Sequence, residues 1–329
     1  MKAIVYAHYG PPEVLQLKDM EKPVPRDNEL LIRVHAAEVT KTDCELRSFR
    51  LAVKWFWLPL RMAMGFTKPK RPVLGAYFAG EVASVGAKVT KFRTGDKIFG
   101  SSRLKLGAHG EYMCVPDSYS FAPKPVNLSF AEAAAVPFGG WNALHFMGRA
   151  NIRAGERVLI NGAGGSIGVY AVQIAKAMGA EVTAVDGAIK EEMLRRIGAD
   201  HFLDYTREDF ALSGKTYDVI FNMVAHTSFS ACVKALNPGG RFLMGNPRLS
   251  DMLKSVLVPV FTGKKILFAF AGETQEELLT LRKMIEEGRI KPVVDKIYPM
   301  EQAADAHRRV ETEQRLGCIV LSIGGSDER

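Results

Sequence analysis

Hydrophobic and polar residues alternate in three different ways along the 329-residue chain. In residues 1–125, short apolar runs lie between Gly and Pro positions, a pattern typical of strands joined by turns. The predicted strands are 2–6, 30–36, 79–85, 97–99 and 111–115. Successive short strands of this kind predict a small, partly closed domain similar to a β-barrel.

From residue 129 to about residue 272, helical and strand patterns follow one another in turn. Ser129 and Glu132 have the spacing of a capping box, which predicts the start of an apolar helix over 131–147. Buried strands are predicted at 157–160, 181–185, 218–223, 241–244 and 266–270, with a helix over 227–236 that ends before Pro238. The alternation predicts a doubly wound parallel sheet, and therefore an α/β fold.

The last stretch has two amphipathic helical patterns, at 274–287 and 301–312, and a final strand pattern at 318–322. We expect this tail to return to the strand-rich first domain. The predicted division is therefore a β-rich domain made of 1–125 and 273–329, and an α/β domain made of 126–272.

The most informative segment is a glycine-rich turn between a strand and a helix. The backbone N–H groups of such a turn, with the positive end of the helix dipole, bind the pyrophosphate of a dinucleotide. The G-x-G-x-x-G pattern fits best with Ala163, Gly165 and Gly168, and Asp186 follows 18 positions after Gly168. The turn residues predicted to contact the cofactor are Gly162, Ala163, Gly164, Gly165, Ser166, Ile167 and Gly168.

Composition restricts the class of protein further. Hydrophobic residues make up 47% of the chain and charged residues 24%, as in soluble globular proteins. The chain starts directly with a strand pattern and shows no signal peptide. Its four cysteines have neither disulfide nor metal spacing, so we expect a reducing, cytoplasmic location.

The net charge of +8 is concentrated in residues 41–71, which hold eight Lys or Arg residues against Asp43 and Glu45. The same stretch contains the apolar runs 55–60 and 62–66. Two interpretations stay open: a loop and helix that cover an active-site cleft, or a basic aromatic surface over 50–71 that contacts a membrane or collects a lipophilic substrate. No nucleic-acid recognition motif accompanies the charge, so we do not expect nucleic acid as a partner.

Several further motifs occur in order along the whole chain. They are 10–15, 72–75, 80–86, Gly95-Asp96, 133–137, 198–200 and Asp204-Tyr205. Together with the glycine turn, they make the chain resemble the medium-chain dehydrogenase/reductase superfamily, and within it the zinc-free branch similar to quinone oxidoreductases. The resemblance implies a GroES-like catalytic domain, a Rossmann cofactor domain, hydride transfer in the cleft between them, and a homodimer.

The zinc ligands of related alcohol dehydrogenases are replaced in this chain. One of their cysteines becomes Thr40, and their Gly-His-Glu becomes Gly75-Ala76-Tyr77. Their second catalytic cysteine falls near Val136-Pro137, and their lobe with four cysteines is missing. Since catalytic zinc needs about three Cys, His or carboxylate ligands, we expect no metal.

Without a metal, catalysis has to rest on positioning and hydrogen bonding. Thr40 and Lys41 occupy the place where members of the family commonly have an Asn-Pro pair facing the nicotinamide. We expect Thr40 or Lys41 to donate a hydrogen bond to the substrate oxygen, with Tyr77 as a weaker candidate. Asp43 and Arg47 match the family's Asp-x-x-x-Arg pattern and are expected to fix local structure.

The sequence contains opposing signals for the choice of cofactor. Asp186 is placed to accept hydrogen bonds from the ribose of NADH and to repel the 2′-phosphate of NADPH. Lys190 and Tyr205, in contrast, match positions at which NADPH-dependent quinone reductases contact that phosphate. Within NAD(P)H, we favour NADH. Further cofactor contacts implied by the fold are Asn222, Val224, Asn246 and Phe270, at the carboxyl ends of strands.

The sequence thus predicts a zinc-independent, NAD(P)H-dependent oxidoreductase that reduces a quinone, an α,β-unsaturated carbonyl or another apolar carbonyl compound. Its apolar pocket or lid, or else a core under the loop, would be formed by Trp55, Phe56, Trp57, Met62, Met64 and Phe66. Two alternatives stay open. One is a dinucleotide-binding redox sensor or membrane-associated adaptor with little turnover, and the other is a metal-free alcohol dehydrogenase.

Overall fold

The computed structural model describes residues 1–268 and 272–324. The strands of its first stretch are β1 (Lys2–Val5), β2 (Gln16–Asp19), β3 (Glu29–Val39), β4 (Tyr77–Val85), β5 (Lys97–Ser101), β6 (Tyr112–Pro116) and β7 (Phe121–Pro123). Two helices, α1 (Lys41–Ser48) and α2 (Trp57–Met64), lie between β3 and β4. The five predicted strands of this stretch are confirmed, and β2 and β7 are additional.

Strands and helices alternate in the middle of the chain. Its elements are α3 (Phe130–Ala134), α4 (Pro137–Ala150), β8 (Arg157–Asn161), α5 (Ser166–Ala177), β9 (Glu181–Asp186), α6 (Glu191–Arg196), β10 (His201–Asp204), β11 (Tyr217–Asn222), α7 (Phe229–Lys234), β12 (Leu236–Met244), α8 (Leu249–Thr262) and β13 (Lys265–Phe268). The tail adds α9 (Gln275–Glu286), β14 (Val294–Pro299), α10 (Ala303–Glu311) and β15 (Cys318–Ser322).

The middle stretch forms one parallel sheet, in the strand order β10-β9-β8-β11-β12-β13. Its central strand β8 is apolar on both faces, and Val158, Leu159 and Ile160 are fully buried. Helices on both faces of a sheet produce strands of this kind, because neither face meets water. The predicted α/β fold with a doubly wound parallel sheet is therefore confirmed.

The second large sheet has the order β14-β15-β3-β4-β5-β7, with β6 also paired to β3. Strand β15 pairs antiparallel with β3, and Ile319 lies opposite Val39. The tail of the chain thus completes the sheet that the first strands begin. Residues of both, among them Ile32, Val34 and Leu321, share one buried apolar cluster.

Two compact units result. The first consists of Met1–Leu51, Trp57–Trp141 and Glu273–Arg329, and the second of Ala52–Phe56 and Asn142–Gly272. The second unit begins later than residue 126, because α3 and the first turn of α4 pack within the β-rich unit. Phe130 stacks on His35 with ring centroids 4.2 Å apart, and the indole N–H of Trp141 donates to the carbonyl of Thr274 (2.9 Å).

Two helix predictions need correction. The capping box of Ser129 and Glu132 is present, but the single helix expected over 131–147 is split into α3 and α4 at Pro137. Proline has no N–H and disfavours a helical residue before it, so it ends one helix and starts the next.

The helix expected over 227–236 is the shorter α7, and β12 begins already at Leu236. Pro238 and the two glycines after it lie inside β12, where the register with β11 shifts. They form an irregular part of the strand instead of a break in front of it. Helix α8 and strands β10 and β14 are additional to the prediction.

Candidate functional site

The glycine turn follows β8 directly. Gly162 has a positive φ of 88°, which glycine adopts readily, and the N–H groups of Gly162 and Ala163 both donate to the carbonyl of Val185 (3.0 and 3.2 Å). Gly165 is extended (φ −88°, ψ 177°) and caps α5. The turn is therefore held against β9, and its last residues lead straight into the start of a helix.

Helix α5 passes close against the turn because Gly168 has no side chain. A Cβ at Gly168 would lie inside van der Waals contact of the carbonyl oxygens of Gly162 and Ala163. The first N–H groups of a helix have no partner within the helix, and the helix dipole adds positive potential there. Turn and helix start together fit the pyrophosphate of a dinucleotide.

Asp186, at the end of β9, is tied to the glycine turn. Its carboxylate accepts hydrogen bonds from the N–H groups of Gly164 (2.7 Å) and Gly187 (2.9 Å). It also forms an ion pair with Lys190 Nζ at 2.9 Å, and both side chains are buried. The lysine crosses over Gly164, where a Cβ would collide with Lys190 Cδ. Asp186 and Lys190 thus neutralise each other beside the turn.

Tyr205 lies next to this pair. Its backbone N–H donates to the carbonyl of Asp186 (3.3 Å), and its ring edge would be 3.7 Å from a Cβ at Gly187. The Tyr205 side chain is 62% exposed, so its ring is accessible to a ligand. The structure therefore brings together Asp186, the sequence signal for NADH, and Lys190 and Tyr205, the sequence signals for NADPH.

The ends of β8, β11 and β12 are joined by side-chain amides. Asn161 Nδ2 donates to Asn222 Oδ1 (2.8 Å) and to Thr227 Oγ1 (2.9 Å), and Asn246 Nδ2 donates to the carbonyl of Met223 (2.8 Å). Asn222 in turn accepts from the N–H of Val224 (3.2 Å). This network fixes the loops at the carboxyl ends of the strands, where ligands of such sheets bind.

Asn161 and Thr227 belong to this network but were not among the predicted site residues. A polar residue at the end of an otherwise apolar strand was the available signal for Asn161, whereas nothing in the sequence marks Thr227. Phe270, the last of the expected cofactor contacts, lies outside the described residues.

Thr40 caps helix α1. Its hydroxyl donates to Asp43 Oδ2 (2.6 Å) and accepts from the Asp43 N–H (3.2 Å), and the side chain is buried. Asp43 Oδ1 accepts from the N–H of Gly75 (3.0 Å). The Thr40 hydroxyl proton is therefore committed to a structural hydrogen bond.

Lys41 and Arg47, on the same helix, both form ion pairs. Lys41 is exposed and pairs with Glu313. Arg47 is buried, pairs with Glu311 and donates from Nε to the carbonyl of Gly10 (3.2 Å). Arg47 therefore ties α1 to the N-terminal segment and to α10, as expected of a residue that fixes local structure.

Tyr77 begins β4 and has an acidic partner. Its hydroxyl donates to Glu273 Oε1 (2.7 Å), and its ring packs on Phe138 with centroids 5.1 Å apart. Burial, followed by the charge of Glu273, raises the pKa of Tyr77 well above its usual range. The tyrosine therefore stays protonated and keeps its ability to donate a hydrogen bond.

Glu273 is the centre of a polar cluster that the sequence did not reveal. Its carboxylate lies 3.9 Å from Arg103 Nε, and its carbonyl accepts from Ser120 Oγ (2.5 Å). Its φ is +46°, a conformation that is uncommon for residues other than glycine. The residues of the cluster are far apart in the sequence, and no motif connects them.

The large apolar residues of 50–71 divide into a buried and an exposed group. Met64 is fully buried in an apolar cluster with Tyr6, Phe49 and Leu60. The guanidinium of Arg61 lies 4.0 Å from the ring centre of Tyr9 and holds α2 in place. The exposed members are Trp55, Phe56, Trp57, Leu58, Met62 and Phe66.

Within residues 1–268 and 272–324, no three His, Cys, Asp or Glu side chains are grouped so that they could hold a metal ion. Over the same residues, no helix is long and apolar enough to cross a membrane.

Comparison with known proteins agrees with this geometry. The family model "Alcohol dehydrogenase GroES-like domain" matches residues 26–126, and the model "Zinc-binding dehydrogenase" matches residues 197–321. Quinone oxidoreductase of Sus scrofa is 32% identical over 94% of both chains. The chain belongs to the medium-chain dehydrogenase/reductase superfamily.

Other members extend the comparison. The chloroplastic NADPH-dependent alkenal/one oxidoreductase of Arabidopsis thaliana is 30% identical, over 98% of this chain and 79% of that protein. The structure of the quinone oxidoreductase from Coxiella burnetii superposes with a TM-score of 0.86, at 27% identity over 98% of this chain and 99% of that one. The predicted combination of GroES-like and Rossmann folds in an NAD(P)H-dependent oxidoreductase is confirmed.

Proposed function

We propose that this oxidoreductase transfers a hydride from NAD(P)H to a quinone, an α,β-unsaturated carbonyl or another apolar carbonyl compound, without a metal ion. The observation that carries the proposal is the contact between the glycine turn and the start of α5, because it provides a pyrophosphate site built from backbone. The relatives named quinone oxidoreductase and alkenal/one oxidoreductase support the substrate class.

The bound cofactor supplies the hydride. In this proposal the turn 162–168 binds the pyrophosphate. Asn222, Val224 and Asn246 contact the cofactor from the loops that follow the strands. The network from Asn161 to Thr227 supports this role, since it orders those loops before any ligand arrives.

For the choice of cofactor we propose NADH. Asp186 is held by two backbone N–H groups, so its carboxylate has a fixed position for the ribose hydroxyls. Lys190 cancels that charge only while the two remain paired. Binding of NADPH requires Lys190 to leave Asp186 for the 2′-phosphate, which uncovers a buried carboxylate beside an anion. NADH avoids that cost.

For the substrate we propose Tyr77 as the group that stabilises the developing oxyanion. Its raised pKa keeps the hydroxyl protonated, and the proton that it donates to Glu273 in this structure has to turn to the substrate oxygen. The Thr40 hydroxyl, in contrast, closes the cap of α1 with Asp43, and Lys41 is paired with Glu313. A hydrogen bond from Tyr77 lowers the barrier if it strengthens as negative charge builds on the substrate oxygen.

The decisive experiment is the initial rate of NADH and NADPH oxidation with a panel of quinones and enones, with and without a chelator. We expect turnover that resists the chelator and is faster with NADH. Alcohols with NAD⁺ belong in the same panel, because faster alcohol oxidation would favour the metal-free alcohol dehydrogenase.

Replacement of Asp186 tests the assignment of the cofactor. Asp186→Ser is expected to shift the ratio of kcat/KM for NADPH and NADH by about tenfold or more toward NADPH, because it removes a charge beside the 2′-phosphate. Asp209→Ser changes an exposed acid of the same unit and should leave the ratio unchanged. An unchanged ratio in Asp186→Ser would remove Asp186 from the site.

A second function is favoured by one observation. In this structure the hydroxyl of Thr40, the ammonium of Lys41 and the hydroxyl of Tyr77 all have protein partners. That arrangement suits a dinucleotide-binding redox sensor or an adaptor, for which contact of 50–71 with a membrane would be the output. Binding of both cofactors without turnover on any acceptor would establish this function instead.

Three further properties belong to the same proposal. We propose a homodimer, a cofactor-binding domain within 126–272, and a cytoplasmic location. The four cysteines, all in the free thiol form, support the last. Light scattering of the purified protein measures the first directly.

A further inference from the structure

Helix α8 exposes an apolar face. Leu249, Leu253, Val256, Leu257 and Phe261 are between 57% and 83% exposed. Their spacing of four, seven, eight and twelve positions from Leu249 places them on one side of the helix. Large apolar side chains aligned in this way are rare on the surface of a soluble protein and indicate a partner.

The opposite side of α8 is already used for packing. Ser255 is buried, and Val258 packs against the apolar cluster of β11, β12 and α7. Gly263 ends the helix in the left-handed conformation (φ +65°), and its N–H donates to the carbonyl of Pro259 (3.0 Å). The orientation of the helix is thus fixed by its inner side, and the exposed face is an additional apolar surface.

Two aromatic residues extend this surface within the same compact unit. The indole N–H of Trp55 donates to the carbonyl of Pro247 (3.5 Å), two residues before α8 begins. Phe56 packs edge-on against Trp55, with ring centroids 5.3 Å apart, and both rings are partly exposed. Tryptophan with an exposed ring and a satisfied N–H is typical of the boundary between lipid and water.

The chain segment that contains α8 is basic. Residues 227–268 hold six Lys or Arg residues and one acid, Asp251, and one of the six, Arg241, is paired with Glu156. Arg248, Lys254 and Lys265 are exposed. Such a rim complements an anionic surface, whereas a two-fold contact with a second copy would place the same basic rim against itself.

We propose that the exposed face of α8, together with Trp55 and Phe56, binds the interface of an anionic lipid bilayer. The helix lies in the plane of the headgroups, with its leucines toward the acyl chains and its lysines toward the lipid phosphates. The contact is peripheral and needs no turnover. It is therefore independent of the proposed reductase activity.

The test is sedimentation of the full chain with vesicles of phosphatidylcholine mixed with phosphatidylserine, and with vesicles of phosphatidylcholine alone. We expect binding to the mixed vesicles that weakens with salt. The double variant Leu253→Ser, Leu257→Ser should weaken the partition by about tenfold or more, because two apolar side chains are lost. The double variant Lys254→Glu, Lys265→Glu should also weaken it by about tenfold or more.

Matched controls lie elsewhere on the chain. Leu212→Ser with Leu279→Ser removes two exposed leucines, and Lys18→Glu with Lys88→Glu reverses two exposed lysines. Both should bind vesicles like the wild type. Circular dichroism and thermal unfolding of all four variants show whether each remains folded, so the test does not depend on turnover.

Four results would overturn the proposal. They are no binding of the wild type to mixed vesicles, equal binding to phosphatidylcholine alone, unchanged binding of the α8 variants, and an equal loss in the controls. Light scattering without lipid adds a fifth. If the leucine variant converts a dimer into a monomer, the face of α8 is a subunit interface and the lipid assignment is wrong.

Discussion

The glycine turn of the α/β unit and the polar residues around Thr40 and Tyr77 in the β-rich unit carry their chemistry differently. At the turn, the groups available to a ligand are backbone N–H groups and the dipole of α5. Around Thr40 and Tyr77, they are side chains that already have partners, namely Asp43 and Glu273. Backbone N–H groups at a turn are available to a ligand as soon as the fold forms. Side chains that already have partners become available only when those hydrogen bonds are broken.

The largest loss of cofactor affinity is expected from a substitution at Gly168, because it disrupts the backbone site of the α/β unit. Gly168→Ala forces a methyl group into the carbonyl oxygens of Gly162 and Ala163, so the turn and α5 must move apart. Affinity for NADH should fall by about a hundredfold or more, which corresponds to about 3 kcal/mol. Calorimetric titration of the folded variant measures it.

The matched control for Gly168 is Gly148→Ala in α4, where a Cβ would meet nothing within 4 Å. This control should bind NADH normally and gain about 0.5–1 kcal/mol of stability, because alanine favours the helix. If Gly168→Ala folds and binds NADH as tightly as the control does, the pyrophosphate site lies elsewhere.

This contrast also explains what could be predicted from the sequence. The turn could be predicted because strand, glycines, helix and acid all lie within 157–186, and backbone geometry is encoded locally. The parallel sheet followed from the alternation of patterns in the same way. Asp186 was placed correctly at the end of its strand.

The rest could not be predicted because it depends on contacts between distant residues. Tyr77 and Glu273 are 196 positions apart. The cap formed by Thr40 and Asp43 is local, in contrast, and its capping-box spacing was a signal for the start of α1 that the prediction did not use. The ion pair of Asp186 with Lys190 is local, yet its burial follows from the missing side chain of Gly164. The apolar pattern of α8 was present in the sequence, but its two apolar sides concealed the helical period.

The second prediction tests whether a loss of stability in the β-rich unit leaves cofactor binding by the α/β unit unchanged. Arg47→Met leaves the carbonyl of Gly10 and the carboxylate of Glu311 without their buried partner. The free energy of unfolding should fall by about 2–3 kcal/mol, less than for a fully buried pair because Glu311 is partly exposed. Urea denaturation measures the loss, and NADH affinity of the folded protein should stay within about twofold.

Arg93→Met is the control for Arg47, because Arg93 is exposed and its ion pair with Asp96, at 3.4 Å, lies at the surface. Its effect should stay within about 0.5 kcal/mol. A loss of NADH affinity in Arg47→Met that matches its loss of stability would show that the two units do not act separately.

The third prediction concerns the donor itself. Tyr77→Phe removes only the hydroxyl, so kcat with a quinone or enone should fall by about ten- to hundredfold while NADH affinity is retained. Tyr112→Phe, in β6, is the control and should be without effect. Because burial and Glu273 raise the pKa of Tyr77, the wild-type rate should not decline below about pH 10 through loss of this proton. A decline at lower pH that Tyr77→Phe abolishes would contradict the assignment.

The smallest effect is expected from two buried histidines of the β-rich unit. Burial, followed by the charges of His109 and Arg47, lowers the pKa of His307 well below its usual value, and burial also lowers the pKa of His109. His307 Nδ1 lies 3.4 Å from Cys44 Sγ. Both imidazoles are therefore neutral when folded, whereas the unfolded chain takes up their protons below about pH 6.5.

Because the unfolded state binds more protons in that range, stability is complete above about pH 7 and decreases as the pH falls toward 5. Each histidine contributes a slope of up to about 1.4 kcal/mol per pH unit. His307→Leu should reduce the slope between pH 6.5 and 5, measured by urea denaturation at each pH, even if it lowers stability at pH 7. Leu212→Ser, at an exposed residue that does not titrate, should leave the slope unchanged. An unchanged slope in His307→Leu would mean that His307 is already protonated in the folded protein, and its packing against Cys44 would then have to accommodate a buried charge.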